Sequence, residues 1–259
     1  LSRLYPAYWV AVLLTYTVGL LWPLLGEHYT VLQALANMTM LQGFSQVQPI
    51  DGVYWTLNAE LCFYAVMLAL FGAGLLTNTV RLSLIWLAAA AGSHLAWYLG
   101  IEVPPPIHQI FVLAYAELFV AGINFYEIYA KGPSIIRAIL LVACWCVHLL
   151  NYGIGSAEHI LVIFGAVAAA VSGHVRFLCV RPLIWLGTIS YSLHLTHLIG
   201  FAVIRSLYQH RISSEIAIPI TIISALALAS KMTYFIERPA ERAIRSRRKA
   251  MAVTVGPPF

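Results

Sequence analysis

The chain has 259 residues, 61% of them hydrophobic and 10% charged, with a mean hydropathy of +0.83 and a formal net charge of +5. A soluble domain is about half apolar and about a quarter charged, so these few charges could not coat a soluble globule of this size. A cytosolic enzyme domain, a disordered protein and a nucleic-acid binder of the usual kind are excluded, and the class is an all-α, polytopic transmembrane helix bundle in a lipid bilayer.

A helix needs about 20 mostly apolar residues to cross the hydrocarbon core. In chain order, eight runs approach or reach that length: 8–25, 53–76, 82–99, 107–129, 135–150, 159–175, 183–207 and 216–236. A ninth, 31–44, is shorter and is interrupted by Gln33, Asn37, Thr39 and Gln42, so it reads as interfacial or re-entrant. Pro104–Pro106, Gly132-Pro133, Gly153/Gly155 and Arg181-Pro182 supply breakers between runs. Nothing suggests a second domain: residues 1–245 read as one transmembrane domain and 246–259 as a basic cytoplasmic tail. The chain starts at Leu1 and enters an apolar run with no tripartite leader, which reads as a fragment lacking its upstream part. Cys62, Cys144, Cys146 and Cys179 lie in or beside apolar runs and read as small buried hydrophobes. Cys144 and Cys146, two apart, point to different helix faces.

Threading eight spans with both ends on one side puts every Lys and Arg except Arg205 and Arg211 on that side, 13 of the 15. Cytoplasmic loops are enriched in these residues, so both ends are expected in the cytoplasm. The basic pI of about 9.1 therefore does not imply nucleic acid.

Ionisable groups inside spans cost about 2.5–3.5 kcal/mol each on insertion scales, so they mark where chemistry is to be sought. Thr56, Glu60 and Tyr64 follow at i, i+4, i+8 on one face, beside Trp55 and Asn58. The bland reading is a Glu hydrogen-bonded inside the bundle; the functional one is a carboxylate in a polar pocket. Ser190, His194 and His197 share a face at i, i+4, i+7, next to Tyr191. Glu60 and His197 lie roughly 10 Å and roughly 15 Å from the outer ends of their helices, close enough in depth to line one cavity or to pair. Glu117 and Asn124 share a helix, with no partner legible. His94, His148 and His174 read as packing or interfacial groups. No metal-ligand spacing and no phosphate loop are present, so no bound metal or cofactor is expected.

Trp55-Thr56-Leu57-x-x-Glu60-x-x-Phe63-Tyr64 resembles the W-[ST]-L-x-x-E-x-x-F-Y signature of the acyltransferase-3 family of bacterial membrane O-acyltransferases, which includes the O-antigen acetylases. Three more stretches agree in order. Arg3 to Trp9 resembles the end of the family's R-x-x-R-I-x-P-x-Y-W segment. Leu186 to His197 is similar to L-G-x-x-S-Y-x-x-Y-L-x-H, with His194 where Tyr is usual. Tyr234 to Pro239 resembles F-[IV]-E-[RK]-P. The resemblance implies a bundle of about ten helices in the bacterial inner membrane. It also implies transfer of an acyl group, usually acetyl, from acyl-CoA to a hydroxyl of a carbohydrate or other envelope acceptor. It points to Glu60 and His197 for catalysis and to Arg3, Trp55, Ser190, Tyr191 and His194 for substrate contacts. The family's proposed catalytic His, in its first helix, has no counterpart here. The competing reading is a polytopic transporter in which intramembrane Glu and His carry protons or substrate.

The charge split makes a topological prediction. Reporter fusions within 131–133 and after Arg245 should be cytoplasmic, and fusions within 104–106 and 153–155 should be outside. Reporters at Lys131 and Gly153 on the same side would overturn the assignment of the intervening span.

Overall fold

The computed structural model describes residues 4–22 and 29–255, with 247–255 as backbone only. The described residues form helices and no strands: α1 (Leu4–Leu21), α2 (Val31–Met38), α3 (Tyr54–Gly72), α4 (Thr79–Tyr98), α5 (Pro105–Ile110), α6 (Ala116–Lys131), α7 (Ile135–Tyr152), α8 (Ile154–Val171), α9 (Arg181–Leu195), α10 (His197–Gln209), α11 (Ser214–Met232) and α12 (Arg238–Val255). Six are long and apolar enough to cross a membrane, or seven if the bent pair α9–α10 is one span. Two of the eight expected spans therefore differ from expectation. Residues 107–129 do not form one helix, because Val112 adopts φ 50° and leaves α6 with 16 residues, about 24 Å of rise against a core of about 30 Å. Residues 183–207 bend by 77° at Thr196. The 31–44 run is a single short helix followed by a 3-10 turn, as its polar interruptions foretold.

The chain divides into two compact units, Leu1–Asn58 with Val180–Phe259, and Ala59–Cys179. In the first, α1 packs on α2, α9 and α10, and α11 packs on α9 and α10. Three aromatic residues of α1 close the C-terminal end of α2. Tyr5 donates to the Thr39 carbonyl (3.1 Å), Tyr8 to Asn37 (2.6 Å) and Trp9 to Met38 (3.0 Å). The Met38 and Thr39 carbonyls lie past the helical ladder, while that of Asn37 also accepts the Met40 N–H (3.0 Å). Asn37, fully buried, then uses its own amide to hold the next segment. Its Nδ2 donates to Gln48 O (3.2 Å), and its Oδ1 accepts from Ile50 N–H (3.1 Å).

In the second unit, α4, α6 and α7 pack mutually and α8 lies on α6 and α7. Lipid is as apolar as a leucine side chain, so close fit and hydrogen bonds must hold these helices. Ala90, Ala116 and Ala121 are buried at the contacts, Phe63 stacks on Phe119 (4.3 Å between centroids), and Asn124 donates to Ser83 (3.2 Å). Glu127 receives both Lys131 (2.7 Å) and Arg137 (2.9 Å) across the α6–α7 turn. Cys62 and Cys144 are buried as expected; Cys146 and Cys179 are exposed, Cys146 because it lies on the opposite helix face from Cys144. α12 continues as helix through residue 246, where the tail was expected to begin.

Two glycines end α6 and α7 in the same way, Gly132 at φ 87°, ψ 170° and Gly153 at φ 78°, ψ 176°. That region is essentially closed to residues with a Cβ, at a cost of about 1–3 kcal/mol. Gly153→Ala should lower the unfolding midpoint in a denaturing-detergent titration by a free energy in that range. Gly122→Ala, inside α6 with open space around the added methyl, should be neutral or stabilising by about 0.5–1 kcal/mol.

Candidate functional site

The polar centre of the first unit is built at the break between α9 and α10. α9 ends at Leu195, and Thr196 bridges the break by donating its hydroxyl to the Ser192 carbonyl (2.9 Å). His197 becomes the first residue of α10. The expected continuous face carrying Ser190, His194 and His197 is therefore interrupted, and His197 is aimed by the start of a new helix. The imidazoles of His194 and His197 still lie near one another, 6.4 Å between centroids and 17° from parallel.

His197 Nδ1 lies 3.4 Å from Oδ2 of Asp51, in ion-pair range without the alignment of a hydrogen bond. Asp51 is fully buried in the turn before α3. Its Oδ1 accepts the Val53 N–H (3.1 Å), and the start of α10 lies beside the carboxylate, with the Leu198 N–H among the groups that favour its charge. A helix start offers N–H groups with no intrahelical acceptor, and a carboxylate is their natural partner. Burial pushes the Asp51 carboxyl above its ordinary range, opposed by the Val53 N–H, the His197 imidazole and the Leu198 N–H. Asp51 is not among the site residues expected from the sequence. The signal that could have found it is its position three residues before the helix that opens with Tyr54-Trp55-Thr56.

His194 Nε2 lies 3.2 Å from the Thr56 hydroxyl, which already donates its proton to the Val53 carbonyl (2.8 Å). The imidazole is then the donor of that pair. Tyr54 is buried edge-on against Tyr8 (5.0 Å), and Asn58 donates to Met40 O (2.8 Å), a carbonyl in a segment with φ 60° at Met40. Tyr191 spends its hydroxyl on the Leu4 carbonyl (2.9 Å) and Ser190 on Gly187 (2.9 Å), while Trp55 is about half exposed. Arg3 lies outside the described residues.

Along α9, a cavity of about 380 Å³ is lined by Gly187, Thr188, Thr233, Glu237 and Arg238. A π-helical turn, Thr233–Glu237, buries two polar side chains beside it, Thr233 and Glu237. Thr233 donates to Ser192 Oγ (2.9 Å), which donates to Glu237 Oε2 (3.1 Å).

Glu60 belongs to the other unit, where it accepts the Tyr64 phenol (2.6 Å), as their i, i+4 spacing implies. The carboxylate that faces His197 within its own unit is Asp51, a residue not among those expected from the sequence. Glu117, whose partner was not legible, meets His148 (2.8 Å). Among the described residues no three His, Cys, Asp or Glu side chains converge as metal ligands.

No family model matches the chain, and no similar curated protein or solved structure was found.

The raised Asp51 carboxyl gives a pH signature. A group that holds its proton more tightly when folded stabilises the fold below its unfolded pKa, and that stabilisation is lost as pH rises through the folded value. In unfolding titrations from acidic to neutral pH, Asp51→Asn should flatten the decline in stability seen for the wild type. An unchanged slope would remove Asp51 as its source.

Proposed function

We propose that the chain is an integral-membrane acyltransferase. It moves an acyl group, acetyl foremost, from acyl-CoA to a hydroxyl of a carbohydrate or other cell-envelope acceptor. The observation that carries this reading is the buried Asp51 carboxylate set against His197, in the segment whose residues resemble the acyltransferase-3 motif. A carboxylate on one ring nitrogen orients the imidazole and stabilises its charged form, which leaves the other nitrogen for a reacting group.

With Nδ1 turned to Asp51, Nε2 of His197 takes the proton of the acceptor hydroxyl. The hydroxyl oxygen attacks the thioester carbonyl, its new C–O bond replaces the C–S bond, and the proton passes to the departing thiolate. His194, Ser190, Tyr191 and Trp55 contribute to the walls that hold the acceptor, and Glu60, whose carboxylate accepts the Tyr64 phenol, is a catalytic candidate on the strength of the motif. The cavity beside Glu237 and Arg238, with Arg3, takes the charged donor, where a guanidinium suits phosphate. In this reading α5 and α6 complete the eighth span, the chain lies in the bacterial inner membrane, and the C-terminus is cytoplasmic.

In the full-length protein in proteoliposomes, His197→Ala and Glu60→Gln should each lower acetyl transfer from acetyl-CoA to envelope glycan by about 100-fold or more, with folded protein retained. If the two residues only satisfy buried neighbours, their loss should instead cost roughly 3–5 kcal/mol and deplete folded protein from the membrane. Near-normal transfer in both variants would overturn their assignment.

A further inference from the structure

The second unit holds an arrangement that the proposed transfer does not use. Glu117 opens α6, His148 lies in the last turns of α7, and Ser156 lies in the first turn of α8. Glu117 Oε1 is 2.8 Å from His148 Nδ1, and His148 Nε2 is 2.9 Å from Ser156 Oγ. Glu117 is fully buried and His148 nearly so, whereas Ser156 is half-buried. The order of contacts is carboxylate, imidazole, hydroxyl, and each ring nitrogen has one partner.

We infer that Ser156 is a nucleophile activated by His148, with Glu117 as the positioning residue, and that this second site accepts an acyl group from a carboxylic ester.

Three features separate this arrangement from a clamp between helices. Helical hydroxyls such as Thr188 and Thr221 donate to the carbonyl four residues back, which occupies their proton. Ser156 instead meets an imidazole nitrogen, the contact that raises a hydroxyl's nucleophilicity. Next, the first intrahelical bond of α8 runs from Ala157 N–H to the Gly153 carbonyl (3.1 Å), so the N–H groups of Ile154, Gly155 and Ser156 precede the helical ladder. N–H groups at a helix start favour negative charge, here the oxyanion formed on attack. Gly155 has open space where a Cβ would stand, so a carbonyl can approach that backbone.

The third feature is a cavity of about 460 Å³ whose lining includes Tyr152, the ring packed on the base, though not His148 or Ser156 themselves. Tyr152 lines it and packs on His148 (4.8 Å between centroids), and its hydroxyl bonds the Ala114 carbonyl, which ties the end of α7 to the segment before α6. Trp97, His94, Glu102 and Asn151 line the same cavity, and the buried Asn151 Oδ1 has no hydrogen-bond partner among the described residues. With Ile101, Val103, Pro105 and Leu113 also in the lining, this wall of rings, aliphatic and polar groups suits an ester that carries both apolar and polar parts. Trp145 donates to the Ala157 carbonyl (3.0 Å) and holds α8 on α7 at this point.

The step balances without a further reagent. Ser156 Oγ bonds to the ester carbonyl carbon while its proton moves to His148 Nε2. The ester C–O bond then breaks, and the alcohol leaves with that proton. Water, or another hydroxyl, reverses the sequence and frees Ser156.

The test is labelling of the full-length protein in membranes with a fluorophosphonate probe, followed by peptide mapping. Wild type should carry the probe on Ser156, Ser156→Ala should carry none there, and His148→Gln should be labelled at least about 100-fold more slowly. Should His148→Gln fail to accumulate, Glu117→Gln takes its place and should also slow labelling and alter its pH profile, which a purely structural contact would not. Folded wild type without probe on Ser156, or labelling indifferent to both substitutions, overturns the proposal. The readout requires no acyl-CoA, so it stands or falls separately from the transfer activity proposed above.

Discussion

Inside a bilayer a backbone N–H or C=O that leaves the helical ladder must find its partner within the protein, because no water is there to serve. Much of the polar architecture of the first unit follows from that requirement. α2 stops after Met38, and Tyr5 and Trp9 take the Thr39 and Met38 carbonyls while Tyr8 adds a second donor to that of Asn37. Asn37 carries the satisfaction onward to Gln48 and Ile50, which delivers the chain to Asp51 in a defined position. The second interruption, at Thr196, is bridged by its own hydroxyl, and the Asp51 carboxylate lies against His197 at the start of α10. The two breaks therefore meet at one carboxylate. Side chains recruited to repair backbone also gather the titratable groups.

The second unit solves a different problem. Its helices cannot be driven together by water, so alanines at the contacts permit close approach and a few polar pairs fix the register. Asn124 with Ser83 is a neutral pair, and Glu127 with Lys131 and Arg137 is an ionic one at a helix end. Glu117 with His148 differs because it is buried on both sides. Leaving one member of such a pair alone costs far more than the pair contributes against apolar replacements, so its presence is weak evidence of a stabilising purpose.

Much of the helical layout was legible in the sequence, because an apolar run of about 20 residues has few alternatives. The short 31–44 segment was legible for the same reason in reverse, since its polar residues could not all face lipid. Glu60 with Tyr64 was legible because four residues make one turn. The bend at Thr196 was not: the run through it is apolar enough for a straight span, and nothing local marks a threonine that bonds back to Ser192. Val112 gives no warning either, being a residue that seldom adopts positive φ. Asp51 with His197 and Glu117 with His148 join residues far apart in the chain, and a single sequence carries no pattern for such pairs. The resemblance to a family located the neighbourhood of His194 and His197 but offered no hint of the aspartate beneath.

The contacts of Asp51 have a mechanical side. One side chain faces the imidazole of His197, the first residue of α10, and it is rooted through Val53 in the entry to α3. The start of the helix and the entry to α3 consequently meet at the same pin. Rotation of α10 about its own axis would carry the ring off that pin, so the imidazole's aim is inherited from the seating of a whole helix as well as from its own side-chain rotamer.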